Sequence, residues 1–292
     1  MSLPTAILCP IDFSPASERA LRHAVALSGL VAAHLTVVTV NDPLLVAAAA
    51  ASGHADALNE QVERALLETL ERVPAPESPL LPALDIVTGE PAEEILKAAE
   101  RAGAGLIVMG TRGLGAAGRL MFGSTAERVG RAARVPVLAV PDVAPDRLAV
   151  DQGRALQSIG HVVASVGLDL TDTIVASAAG EWAATFGTPL TLAHVCPDIS
   201  APAWWPFAAP GVESVEDART RLQSLARSVP TAADALLDVR RGSVAEGVAA
   251  IVRDRDAGLL VVSRGSGAHR LGATAYRLMT AADVPTLVVA GA

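Results

Sequence analysis

Apolar residues fall along this chain in short unbroken runs of strand length, separated by longer stretches in which they recur every three to four positions. The short runs occupy residues 6–11, 35–40, 84–87, 106–109 and 135–140. They carry no alternating polar face, which is the mark of strands in a parallel sheet covered on both sides. Residues 15–32, 60–70, 91–101 and 125–133 read as the intervening helices. Ser14 is placed to cap the first, with Pro15 at its first position, and Val62, Leu66, Leu67 and Leu70 line one stripe of the second. Strand and helix in alternation predict an α/β fold with a doubly wound, five-stranded parallel sheet.

The pattern is then written a second time. The run at 134–141 (RVPVLAVP) returns at 283–290 (DVPTLVVA), and residues 89–113 match 242–265. LTVVTV ending at Val40 pairs with LTLAHV ending at Val195, and residues 5–14 pair with 162–171, which sets Asp12 opposite Asp169. The offset shrinks along the chain from about 157 to about 149, as small deletions would produce. Two homologous domains are expected, 1–141 and 160–292, joined by a polar, proline-containing linker at 142–159.

Composition narrows the class. Half of the 292 residues are apolar (51%) and mean hydropathy is positive, so bulk disorder is excluded. A spanning helix needs about 20 apolar residues, and the longest candidate, 44–51, falls short; no membrane role is expected. The N-terminus has no basic leader pattern, and the expected location is cytoplasmic. A net charge of −8 without any Lys/Arg cluster argues against nucleic acid as a partner. Cys9 and Cys196 sit in apolar runs far apart and are expected as buried thiols rather than a disulfide or metal pair.

Ligands of open parallel sheets bind beyond the carboxyl ends of the strands. There the first copy places Pro10 and Asp12, Val40, and the run Met109, Gly110, Thr111, Arg112 and Gly113; a loop then leads to Gly123, Ser124 and Thr125 at a helix start. Glycines followed by a hydroxyl pair at a helix N-terminus make either a phosphate cradle or a structural turn. The spacing is neither a P-loop, which needs Gly-Lys-Ser/Thr, nor a dinucleotide fingerprint, which would follow the first strand.

Gly-x-x-Gly, nine residues, Gly-Ser at Gly110, Gly113, Gly123 and Ser124 resembles the nucleotide signature of the universal stress proteins, in their tandem two-domain form. The lead-in from Asp12 to Ser17, the segment from Gly89 to Ile95 and the closing run from Pro136 to Val140 fit as well. The resemblance implies a Rossmann-like, adenine nucleotide alpha hydrolase-like fold that binds ATP or another adenine nucleotide, with or without Mg²⁺ on Ser124. It implies that Asp12 and Val40 line the adenine and ribose pocket with Pro10 nearby, that Gly110, Gly113, Gly123, Ser124 and Thr125 cradle phosphates, and that Met109 and Thr111 of the same strand end belong to the cofactor-binding set. Arg112 and Arg119 are either phosphate contacts or solvated. Asp12 has a rival role as a helix cap, and Val40 as plain core. In single-domain relatives two chains pair through their last strands, so 135–140 and 284–289 are expected to make an internal pseudo-dimer, with a homodimer of whole chains as a further expectation.

The second copy departs from the signature. Val262 stands for the first glycine, Gly265 and Gly272 are only six residues apart, and Ala273 replaces the serine. One competent site and one degenerate site are expected. His194 has no His or Cys partner in register and reads as a satisfied or half-buried histidine rather than a ligand or base, and His161 and His269 show no metal-ligand spacing; Trp204, Trp205 and Phe207 form either an interface patch or a core cover. No general base or dedicated nucleophile stands beside the loop, so the expected role is nucleotide-dependent regulation in a stress response. The alternatives are slow ATP hydrolysis or phosphoryl transfer, and a nucleotide-free scaffold.

Overall fold

A computed structural model describes residues 3–74, 81–112, 123–142, 148–151, 154–157, 159–169, 171–198, 213–265 and 272–289. These residues gather into two compact units that divide between positions 158 and 159.

In the first unit, β1 (Ala6–Pro10), β2 (His34–Asn41), β3 (Ala83–Thr88), β4 (Leu106–Gly110) and β5 (Val137–Val140) form a wholly parallel sheet in the order β3-β2-β1-β4-β5. Its helices are α1 (Pro15–Val31), α2 (Pro43–Ala51), α3 (Ala55–Glu71), α4 (Pro91–Arg101) and α5 (Ser124–Ala132). The Ser14 hydroxyl accepts the Ser17 N–H (3.2 Å), and Ala32 closes α1 in the left-handed conformation. Leu8, Val38, Ile107 and Met109 of the sheet pack with Ile95 and Ala98 of α4 and Val129 of α5 in one core cluster.

Three elements depart from the expected set. Residues 44–51 belong to a helix, α2, capped by the Asp42 carboxylate on the Leu44 N–H (2.7 Å) and burying no residue at all. Within the stretch expected as a linker, β6 (Leu148–Asp151) and β7 (Arg154–Gln157) pair antiparallel and lie against α1 in the first unit. That second cover explains why α1 buries nearly every residue from Ala20 to Leu27 rather than a single stripe.

The second unit repeats the design with β8 (Val162–Ser165), β9 (Leu190–Cys196), β10 (Leu236–Arg241), β11 (Leu259–Ser263) and β12 (Thr286–Val289), in the order β10-β9-β8-β11-β12 and again all parallel. Helices α6 (Asp172–Phe186), α7 (Val215–Ser228), α8 (Val244–Asp254) and α9 (Ala273–Ala281) complete it, with a 3₁₀ turn at Pro230–Ala232. That turn lies so close to α6 that a Cβ on Gly180 would stand 2.2 Å from the Thr231 carbonyl oxygen.

Strand registers fix how the copies correspond. Ile7 lies beside Leu106 and Leu35, and Val162 lies beside Leu259 and Leu190. Ile7 therefore matches Val162, and Asp12 stands opposite Gly167, not Asp169. A slip of two residues keeps every side chain on the same face, so the hydrophobic pattern alone is blind to it. Likewise Gly110 pairs with Val140 as Ser263 pairs with Val289, so Ser263, not Val262, occupies the place of the first glycine.

Candidate functional site

β1 connects outward to β2 on one side while β4 lies on its other side, so the carboxyl ends of β1 and β4 flank the point where strand order reverses. The residues of interest converge there. Asp12 follows β1 at an exposed turn where its Oδ1 accepts the Ser14 N–H (3.1 Å) and its own N–H is given to Ser17 Oγ (3.3 Å). Between them Phe13 takes a positive φ of 61°, which turns the chain sharply from strand into α1.

Gly110 ends β4 directly against that turn. A Cβ on it would lie 2.7 Å from the Ala16 carbonyl carbon and 2.9 Å from the Ser17 nitrogen. The first glycine of the signature is thus required by the close approach of α1 to β4, which brings Asp12 and the β4 end together. The next residue, Thr111, is buried; it donates its N–H to Val140 O (3.1 Å) and accepts the Gly123 N–H on its carbonyl (2.7 Å). This last bond pins the start of α5 to the end of β4.

α5 begins open. Gly123 is its N-cap and offers no side chain, so nothing from the cap residue meets the N–H groups of the first turn, where Ser124 and Thr125 stand. The cap residues of α1, α2, α4 and α7 place a side-chain oxygen on first-turn N–H groups, whereas those of α3, α6, α8 and α9, like that of α5, do not. A helix N-terminus with a glycine at its cap suits an anion, through N–H groups and helix dipole together. Ser124 is exposed and Thr125 half-buried.

The remaining sequence candidates distribute as follows. Pro10 is buried inside β1; Val40, half-buried at the end of β2, packs against the same cluster as Met109. These two form an apolar shelf on the α4–α5 side of the sheet. The Arg112 guanidinium donates to Asp142 Oδ2 (2.7 Å), a pairing that holds it at the rim of the β4 end. Gly113, Arg119, His269 and the Trp204–Phe207 cluster lie outside the described residues. The thiols of Cys9 and Cys196 are both free and buried, and burial pushes that of Cys9 far above the ordinary cysteine range.

At the matched place in the second unit, Gly167 removes the carboxylate of Asp12, and Ser263 and Arg264 replace Gly110 and Thr111. The helix start is kept: Gly272 caps α9 and gives its N–H to the Arg264 carbonyl (2.8 Å), as Gly123 does to Thr111. Sequence reasoning missed a second feature here. His194 and Cys196, two apart on β9, share a face and meet Glu213, which precedes α7. Their i, i+2 spacing on a strand was the available signal.

Compared with known proteins, the chain matches the Universal stress protein family over residues 5–141 and again over 159–290. It is 34% identical over 136 residues to universal stress protein MJ0531 of Methanocaldococcus jannaschii, covering 46% of this chain and 80% of that protein. It is 32% identical over 143 residues to universal stress protein YxiE of Bacillus subtilis, covering 46% and 97% respectively. In fold, a universal stress protein from Archaeoglobus fulgidus aligns with 98% of this chain and 96% of its own, at a TM-score of 0.68 and 20% identity.

Proposed function

The chain belongs to the universal stress protein family, with two of the family's domains in tandem, and from that premise we propose that its first unit binds ATP or another adenine nucleotide. Binding, rather than turnover, is the function: the nucleotide state of the first unit regulates what the protein does in a stress response. The observation that carries this reading is the glycine-capped N-terminus of α5, pinned by the Gly123–Thr111 hydrogen bond to the strand end where Asp12 also arrives. N–H groups of the first turn of α5 would meet phosphate oxygens, with the Ser124 and Thr125 hydroxyls beside them. Asp12 would accept from a ribose hydroxyl or an exocyclic amine, and the Val40–Met109 shelf would carry the base. Where Mg²⁺ accompanies the phosphates, the Ser124 hydroxyl supplies the hard oxygen donor such an ion takes.

An acidic chain is no obstacle, because backbone N–H groups hold phosphate without net positive charge. The second unit, lacking a carboxylate at Gly167 and a glycine at Ser263, is the degenerate site of the pair. Among the described residues no helix is long and apolar enough to cross a membrane, and two free thiols suit the reducing cytoplasm. Mass spectrometry of ligand released from freshly purified protein tests the reading, together with thermal shift on adding ATP, ADP, AMP or cyclic AMP. An adenine nucleotide recovered at one per chain supports it. No nucleotide and no shift would leave the scaffold role, while phosphate release abolished by Ser124→Ala would establish turnover instead.

A further inference from the structure

We propose that the second unit carries a metal site for a zinc-class divalent ion, formed by His194 Nε2, Cys196 Sγ and a carboxylate oxygen of Glu213. The three donor atoms lie within 4.8 Å of one another. Ligands bound at about 2.0–2.3 Å in a tetrahedron stand roughly 3.3–3.8 Å apart, so the cluster closes on an ion with small side-chain adjustments.

The chemistry of the donors points the same way. His194 Nδ1 is 2.8 Å from the Val166 carbonyl oxygen, which only accepts, so the hydrogen is on Nδ1 and the Nε2 lone pair is aimed outward. It faces Glu213 Oε2 at 3.0 Å. Two acceptors at that distance need a positive species between them, either a proton or a cation. A proton would satisfy the pair alone, but the third donor is a thiol, the softest ligand in the chain, on the same face of β9. Imidazole, thiolate and carboxylate together are the ligand types that zinc and its neighbours take.

The surroundings are those of a built site. His194 and Cys196 are buried (5% and 1% exposed), which raises the strength of any charge interaction among them. The bond from Nδ1 to Val166 is the outer-shell contact that orients metal-binding histidines. Glu213 is itself held: Arg221 Nη1 donates to Oε1 (2.6 Å) and Arg241 Nη2 to its backbone carbonyl (2.8 Å). Oε2 is thereby left to turn toward Nε2. A divalent ion, on binding, displaces the Cys196 thiol proton to solvent. The resulting thiolate and the carboxylate balance its two charges. Glu213 itself remains partly exposed. Thr39 and Asn41 occupy the matched places of His194 and Cys196 in the first unit, so this site is private to the second.

The test is a titration of the full-length, chelator-treated, reduced protein with Co²⁺. One ion per chain is expected, with a thiolate-to-cobalt charge-transfer band in the near ultraviolet, displaced by Zn²⁺. Cys196→Ser should lose the band, His194→Ala should weaken binding at least ~10-fold, and Cys9→Ser should change neither. Glu213→Gln keeps volume and an acceptor for Arg221, so it should fold and still bind more weakly; circular dichroism verifies each variant. No charge-transfer band at excess Co²⁺, or a band that survives Cys196→Ser, overturns the proposal. So does unchanged affinity in Glu213→Gln. These outcomes stand apart from nucleotide binding, which concerns the first unit.

Discussion

Gly110 and Ala16 approach so closely that a methyl group on the glycine would sit 2.7 Å from the Ala16 carbonyl carbon, with backbone rather than a movable side-chain tip in the way. The start of α1 and the end of β4 are therefore one rigid junction, and Asp12 is positioned by it. The glycine's value to a nucleotide site is indirect, through where it allows α1 to lie.

Gly110→Ala should accordingly destabilise the first unit by about 1–3 kcal/mol through overpacking. Since relief comes from moving α1 away, adenine nucleotide binding should weaken in the same variant. Ser263→Gly, at the matched place of the second unit, should change stability by about 1 kcal/mol or less, because it relieves no clash and adds chain freedom. Chemical denaturation of each variant, with and without ATP, checks the contrast.

Ser124→Asp separates stability from binding. A carboxylate in the first turn of α5 interacts favourably with the helix dipole, so the free protein should gain about 0.3–1 kcal/mol. The same charge stands where phosphate is proposed to bind, so affinity for ATP should fall at least ~10-fold. A variant more stable than the parent and still equally good at binding ATP would remove α5 from the site.

At Asp12 the two readings of the residue predict different things. Its Oδ1 accepts the Ser14 N–H, a local turn bond that asparagine can keep. Asp12→Asn should then leave stability within about 0.5 kcal/mol. A ribose hydroxyl or adenine amine, however, loses a charge-assisted bond for a neutral one, and affinity should drop roughly 10-fold. If calorimetry finds affinity unchanged and Asp12→Ala unstable, the carboxylate is a turn residue only.

Much of this was legible before any coordinates. Apolar runs located all five strands of the first sheet, and Ser14 and Pro15 marked the start of α1, because each of those signals is local. The helix at 43–51 was not visible: Leu44, Leu45, Val46 and the alanines are apolar on every face and bury nothing, so no period exists to read. The pairing of Asp12 with Asp169 failed because strand patterns repeat every two residues, and identity at one carboxylate outweighed register. Gly123 and Ser124 were found by spacing, whereas the role of Gly110 depends on a helix start packed against it from another segment. Glu213 joins His194 and Cys196 only through the fold, across a stretch of chain that carries no ligand spacing.

His161 offers a pH test confined to the second unit. It is buried, with Nε2 2.7 Å from Thr191 Oγ1, and burial first, then the Arg255 charge, hold its imidazolium form below the ordinary histidine range. The unfolded chain takes up a proton near pH 6.5, the folded unit only at lower pH. Between those values the unfolded state binds more protons, so stability rises with pH. The contribution is therefore whole above about pH 6.5 and is lost as pH falls through the depressed folded value. All three tryptophans lie in this half of the sequence, Trp182 among them on α6, so tryptophan fluorescence reports its unfolding. Denaturation midpoints followed this way should fall between pH 7 and pH 5 more steeply in the parent than in His161→Gln, which keeps a donor for Thr191 but takes no proton. Parallel pH profiles for the two proteins would mean that the imidazole charges as easily folded as unfolded.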